Sequence, residues 1–317
     1  MGSVVHLSKQ VLVDLEELCP TLYKNPREKL ATLVAVALEA GSCNTMEWAA
    51  RLPIATKRAE SRYAWVERFL SADTVDEREV MRPLAAQILA FAAFSKQTIV
   101  LNLDQTSIED LHAIAMVSLR VGNRGLPLFW KTGATAGNLP TSDYVALLDE
   151  VVAVLPEGAD VLLMADRFFD AGALITYCRT QGWGWRIRMK SNINVTHEGG
   201  ELRLSEMPPL KLTALENATL SSGAITNIGY LHERGHEEAW FIAMNAKPTR
   251  TTTLDYGLRW GIEAMFSDYK TRGFGLEDTQ LQRPDRLSKL LLVLAVAMHW
   301  AVLTGMHLQK KQRPWEV

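Results

Sequence analysis

Four side chains in residues 254–270, LDYGLRWGIEAMFSDYK, have the types and spacing of a phosphate- and metal-handling site: Tyr256, Arg259, Glu263 and Lys270. Their offsets of 0, 3, 7 and 14 residues fall within about 60° of one another at roughly 100° of rotation per helical residue. A helix here presents a hydroxyl, a guanidinium, a carboxylate and an amine along one stripe. Leu258, Ile262, Met265 and Phe266 then lie on other sides, free to be buried. The bland alternative is a solvated helix face carrying an i,i+4 Arg–Glu pair. Two upstream aspartates, Asp104 and Asp166, argue against it. Asp104 ends the β-rich run TIVLNLD, and Asp166 ends the short apolar run VLLMAD. Runs of the second kind are buried on both faces of a parallel sheet.

Carboxylate oxygens suit hard divalent cations. Two aspartates at neighbouring strand ends and a glutamate on a packed helix are a donor set for two Mg²⁺ or Mn²⁺ ions. Such a pair activates a nucleophile and stabilises a leaving oxygen in phosphoryl transfer. In this reading Asp104 is shared, and Asp166 and Glu263 each hold one ion. Taken singly, Asp104 is an ordinary strand-end residue and Asp166 an ordinary partner for Arg167. A glycosidase-type pair of carboxylates fits less well, because Arg259 and Lys270 beside Glu263 suit an anionic substrate.

The elements needed to position these groups follow the chain. Residues 1–95 read as an all-helical segment, with Val11, Leu12, Leu15 and Leu18 at helical spacing, a run over 28–40 stopped by Gly41, and two further runs over 46–51 and 57–70. The pair around 44–70 has the outline of a helix-turn-helix, with Arg51, Lys57, Arg58, Arg62 and Arg68 against Glu60 and Glu67. From residue 98 the order is strand 98–104, strand 112–121, a Gly-Asn-Arg-Gly turn at 122–125, strand 126–131, helix 142–155, strand 161–166, helix 171–181 and strand 183–190. The β-β-β-α-β-α-β order is that of a ribonuclease-H-like α/β core, in which the first and fourth strands run side by side. Their C-terminal ends are where open α/β sheets place ligands. Residues 192–253 read as a β-rich insertion, so that 96–191 and 254–317 together form the core. A long helix over about 286–307 closes the chain.

The 317 residues carry a net charge of −2, so any polyanion must be held by local patches rather than a global field. One such patch lies between residues 171 and 197, which contain no Asp or Glu. In a strand there, Trp183, Trp185, Ile187 and Met189 point one way, and Arg186, Arg188 and Lys190 point the other. That makes Arg186, Arg188 and Lys190 candidate phosphate contacts. The alternative is an amphipathic edge strand protected by charge. Three separated cysteines without a CxxC fit a reducing compartment. No signal-type apolar run opens the sequence. The apolar stretch 290–305 contains His299 and reads as a buried helix rather than a membrane span.

LNLDQT, MADRFFD and the spacing Tyr256-x2-Arg259-x3-Glu263-x6-Lys270, followed by GLEDTQLQRPDRLSKLL, resemble the DDE transposases of bacterial insertion sequences. The specific likeness is to insertion sequence family four, with its YREK signature. It spans about residues 98–305 and departs at Phe168, where the family usually has Gly. The resemblance implies that Asp104, Asp166 and Glu263 are a catalytic triad holding two Mg²⁺ or Mn²⁺ ions. It implies that Tyr256, Arg259 and Lys270 grip phosphates of double-stranded transposon ends, before a 3′-OH is joined to target DNA. It also implies a dimer with one DNA end per subunit, in the bacterial cytoplasm at the nucleoid and away from membranes. Some members pass through a hairpin in which a base flips onto an aromatic ring, for which Trp240, Trp183 and Trp185 are the candidates here. A DNA-binding relative without activity and a nuclease that only hydrolyses remain the alternatives.

Overall fold

The computed structural model describes residues 2–207, 214–232 and 238–312. Helical apolar spacing is realised in α1 (Gly2–Leu18), α2 (Lys24–Ala40), α3 (Thr45–Arg51), α4 (Ala59–Leu70) and α5 (Glu77–Phe94). Asn44 caps α3, its side-chain oxygen accepting from the Met46 and Glu47 N–H groups at 2.9 and 3.3 Å. Arg62 does not belong to a DNA-facing basic surface. It is buried and donates to the carbonyls of Ala49, Ala50, Leu52, Ile54 and Thr56. Its five N–H groups are spent on tying the α3–α4 connection together.

The sheet begins with β1 (Ile99–Ile108), β2 (His112–Val121) and β3 (Arg124–Gly133). The β2–β3 loop is two residues long, and Gly122 takes φ +58° there, a left-handed conformation that favours glycine. Next come α6 (Thr141–Val152), β4 (Val161–Ala165), α7 (Ala171–Gln181) and β5 (Gly184–Arg188). The expected element order therefore stands. Boundaries shift by a few residues, most at β1, which runs past Asp104 to Ile108 because β2 goes on pairing with it as far as Ile108↔His112 after β4 has left.

The region expected to be an insertion contributes β6 (Asn194–His197), β7 (Gly200–Arg203), β8 (Ala214–Leu220), β9 (Ile225–Leu231) and β10 (Trp240–Met244). These strands do not stand apart from the core. β10 pairs antiparallel with β5, giving one ten-stranded sheet in the order β3-β2-β1-β4-β5-β10-β9-β8-β6-β7. Parts of the expected insertion, 208–213 and 233–237, lie outside the described residues.

After α8 (Arg250–Leu254), residues 254–270 do not make one continuous helix. The backbone passes through a 3-10 segment at Asp255–Trp260, α9 (Gly261–Ser267) and a π-helical turn at Asp268–Arg272. Close packing fixes this break. A Cβ on Gly261 would lie 3.2 Å from the Arg124 carbonyl carbon, and one on Gly125 3.3 Å from the Ile262 Cα. The N-terminus of α9 thus rests directly on the backbone of β3. Arg124 also pairs with Asp268.

The last element, α10 (Pro284–Gln312), packs against β3, α2, α4 and α5. Its residues Pro284–Gly305 are long and apolar enough to cross a membrane by length and composition. Residues 290–297 are nevertheless all buried within the protein, in a cluster shared by the N-terminal helices and the sheet. Three ion pairs reinforce that junction: Arg82–Glu150 at 2.8 Å, Arg286–Glu67 at 2.7 Å and Lys289–Glu77 at 2.9 Å.

Candidate active site

Sheet register brings the aspartates together. The last parallel pairs are Leu103↔Ala165 between β1 and β4, and Ala165↔Ile187 between β4 and β5. One residue further along the three strands stand Asp104, Asp166 and Arg188, in a row. Asp104 accepts from the Gln105 N–H at 2.9 Å, and Asp166 from the Arg167 N–H at 2.7 Å. Gln105 fastens the neighbouring loop. Its Oε1 accepts from the Leu139 N–H at 3.0 Å and the Tyr144 hydroxyl at 2.7 Å, and its Nε2 donates to the Gly137 carbonyl at 3.2 Å. Sequence reading missed Gln105; its only signal was its place next to Asp104.

The broken helix supplies the rest. At three residues per turn, Tyr256 and Arg259 share one face of the 3-10 segment, and both are buried. The Tyr256 hydroxyl donates to Asp166 Oδ1 at 3.2 Å. Arg259 donates from Nη1 to Asp104 Oδ2 at 2.6 Å and from Nη2 to Glu263 Oε1 at 2.5 Å. Glu263 is half exposed. Lys270 lies 3.4 Å from Glu277. Burial pushes the Asp104 carboxyl up to about 6; Arg259 opposes that rise, and the nearby Asp166 adds to it.

Asp104, Asp166, Phe168, Arg259, Glu263 and Lys270 line one cleft of about 460 Å³, with Tyr256 buried behind Asp166. The donor chemistry fits a hard divalent cation, since Asp104 and Asp166 are adjacent and electrostatically coupled. Glu263 completes the set only on leaving Arg259. Among the described residues, no three His, Cys, Asp or Glu side chains stand close enough to hold one ion as they are. The Arg259 guanidinium bridges Asp104 and Glu263, so the three carboxylates meet around it, with the two aspartates adjacent and Glu263 across Arg259.

The other expected contacts divide. Arg186 is turned inward, donating to the carbonyls of Thr252 at 3.1 Å and Trp185 at 2.8 Å. The outward face assumed for it does not exist, because β5 is covered on both sides by neighbouring elements. Arg188 and Arg167 both pair with Glu238, the former at 3.1 Å. Lys190 is exposed. Trp183 and Trp185 are core residues, and Trp185 Nε1 donates to Thr226 at 3.0 Å. Neither offers a free ring face. Trp240 is half-buried, edge-on to Tyr256 at 5.4 Å and to Trp260 at 5.8 Å.

No curated protein matches the chain. Among solved structures, the crystal structure of human ENDOV matches at 12% identity over 68% of this chain and 90% of that one. Its TM-score of 0.28 is too low to support any argument. Residues 111–300 match the family described as transposase DDE domain. That match begins beyond Asp104 but takes in Asp166, Tyr256, Arg259, Glu263 and Lys270. With more than half of its length matched, this chain belongs to the transposase DDE domain family.

Proposed function

We propose that the protein is a DNA transposase of the insertion sequence family four type, cutting transposon ends and joining them to target DNA with divalent ions. The observation that carries this reading is the cleft itself. A register-adjacent aspartate pair faces Glu263, with Arg259 and Lys270 on the same wall. Asp104, Asp166 and Glu263 are the residues that would hold Mg²⁺ or Mn²⁺. When bound, such ions supply Lewis-acid activation of a nucleophilic oxygen and stabilisation of the leaving one.

The chain's own groups do the rest. Tyr256 orients Asp166 through its hydroxyl. Arg259 neutralises Asp104 and Glu263 in the DNA-free protein and turns to a phosphate when DNA enters. Lys270 leaves Glu277 for the same purpose, and Arg188 and Lys190 extend the grip along the backbone. Two subunits would hold the two ends.

The test is incubation of the protein with Mg²⁺ and DNA from the borders of its own coding region. Cleavage at both borders and joining of a pre-cut 3′-OH end to a plasmid are expected. Hydrolysis without joining would reduce the protein to a nuclease. Binding without cleavage would make it a DNA-binding relative, a reading favoured by the Arg259 bridge across two of the three carboxylates.

A further inference from the structure

The cations around the cleft differ in what they are paired with. Lys270 is held by Glu277 and Arg188 by Glu238, and neither of those carboxylates is a candidate metal donor. Arg259 is held by two that are. It gives one bond from Nη1 to Asp104 and one from Nη2 to Glu263. A divalent ion needs the lone pairs that these bonds occupy, and its charge repels a guanidinium on the same carboxylates. Arg259 in this position and an ion shared by Asp104 and Glu263 therefore exclude one another.

The bridge is also incomplete. Arg259 Nε is buried, and among the described residues it has no hydrogen-bond partner. Each carboxylate takes a single bond, so the two-pronged edge of the guanidinium, which suits phosphate oxygens in pairs, is left unused. The two carboxylates differ in freedom as well. Asp104 is 15% exposed and Glu263 55%, so Glu263 can swing away while Asp104 stays fixed at its strand. We propose that Arg259 gates the metal site: the guanidinium and a divalent ion compete for Asp104 and Glu263, and a DNA phosphate that takes the guanidinium opens the site to the ion. Ion and DNA then bind cooperatively, each raising the other's affinity by the same factor. The protein alone holds the ion weakly, which confines its chemistry to the DNA complex. This inference rests on the proposed function and adds to it the order in which the site is loaded.

The test measures Mn²⁺ binding by electron paramagnetic resonance of the free ion, with and without a short duplex from the borders of the coding region. Its end is pre-cut and 3′-dideoxy, so that neither cutting nor joining takes place, and DNA alone is the blank. Addition of the duplex should tighten Mn²⁺ binding by wild type roughly 5- to 150-fold, the usual span of a coupling between sites. Without DNA, Arg259→Gln should bind Mn²⁺ tighter than wild type by a similar factor, and the duplex should add little more. Arg259→Lys keeps the charge but offers one nitrogen, which cannot span both carboxylates, and it should behave like Arg259→Gln. Circular dichroism checks that the variants are folded, and the wild-type measurement needs no variant. Mn²⁺ affinity of wild type unchanged by DNA overturns the inference and leaves the proposed function intact. So does full coupling in Arg259→Gln, which would place the ion on DNA phosphates alone, or wild-type behaviour in Arg259→Lys, which would reduce the gate to a general charge effect. Failure of wild type to bind Mn²⁺ in either condition overturns both.

Discussion

Asp104 and Arg259 form an ion pair at 2.6 Å in which the two side chains are only 15% and 7% exposed. Strand β1 supplies the carboxylate and the 3-10 segment before α9 supplies the guanidinium. The pair therefore ties the helix that carries Glu263 to the centre of the sheet. A buried pair that loses one partner leaves the other charge uncompensated.

Arg259→Gln should accordingly lower stability by about 3 kcal/mol, read from urea midpoints near neutral pH. It should also move the Asp104 carboxyl further above 6, since Arg259 holds it down. A midpoint equal to wild type would mean that the pair contributes nothing.

Asp104 gives a pH dependence of definite sign. Its folded-state value, near 6, lies above the ordinary 3.8. The associated stabilisation is complete below pH 3.8 and is lost as pH rises through 6. Asp104→Asn should therefore abolish cleavage and flatten this part of the stability profile between about pH 4 and 6, although Arg259 then lacks one of its two carboxylate partners. Full cleavage by Asp104→Asn would remove the site assignment.

His299 behaves oppositely. Buried at the α10–β3 contact, it donates from Nε2 to the Pro127 carbonyl at 2.6 Å, and burial lowers its value to about 4. Its neutral form is stabilising above 6.5, and that contribution is lost as pH falls from 6.5 to 4, by about 1.4 kcal/mol per pH unit. His299→Gln, which retains a donor, should flatten this part of the profile. Melting curves of both proteins between pH 4 and 7 decide the matter.

Gly261→Ala puts a methyl group 3.2 Å from a backbone carbon of Arg124, an atom that cannot rotate away. Overpacking of this kind costs about 1–3 kcal/mol. Because α9 must lift from β3 to accommodate it, Glu263 moves too. Cleavage should fall by a larger factor than the fraction of folded protein, as seen by comparing rates with circular dichroism.

Glu238 neutralises both Arg167 and Arg188 beside Asp166. Glu238→Gln should tighten DNA binding roughly 3- to 5-fold, the equivalent of up to 1 kcal/mol for an exposed pair. The exposed Glu39 on α2 is the control: Glu39→Gln changes net charge equally and should have a smaller effect. Equal gains in the two variants would show a general charge effect only.

Much of this architecture was legible because its signals are local. The apolar run ending in Asp166 and the β-rich run through Asp104 could lie only in the sheet interior, and parallel pairing then set the two residues side by side. Arg259, Glu263 and Lys270 line one cleft, and Tyr256 reaches it only through its hydrogen bond to Asp166. The segment crosses three helical pitches rather than one, and the contact of Gly261 with β3 behind that break is invisible in a one-dimensional pattern. Arg186 was misplaced for a related reason. Alternation along β5 suggested a solvated face, but α7 and the 3-10 segment at Asp255–Trp260 pack against this strand and Arg186 is buried. The pairing of Arg167 and Arg188 with Glu238 joins residues 71 and 50 positions apart, and no local rule connects them.

The antiparallel join of β10 to β5 means that the accessory strands cannot be trimmed away like an appended module. Their removal would strip β5 of a partner and leave a raw hydrogen-bonding edge one strand from Asp166, ready to recruit a foreign chain. Shortened descendants of this protein would thus face aggregation before they faced any loss of chemistry.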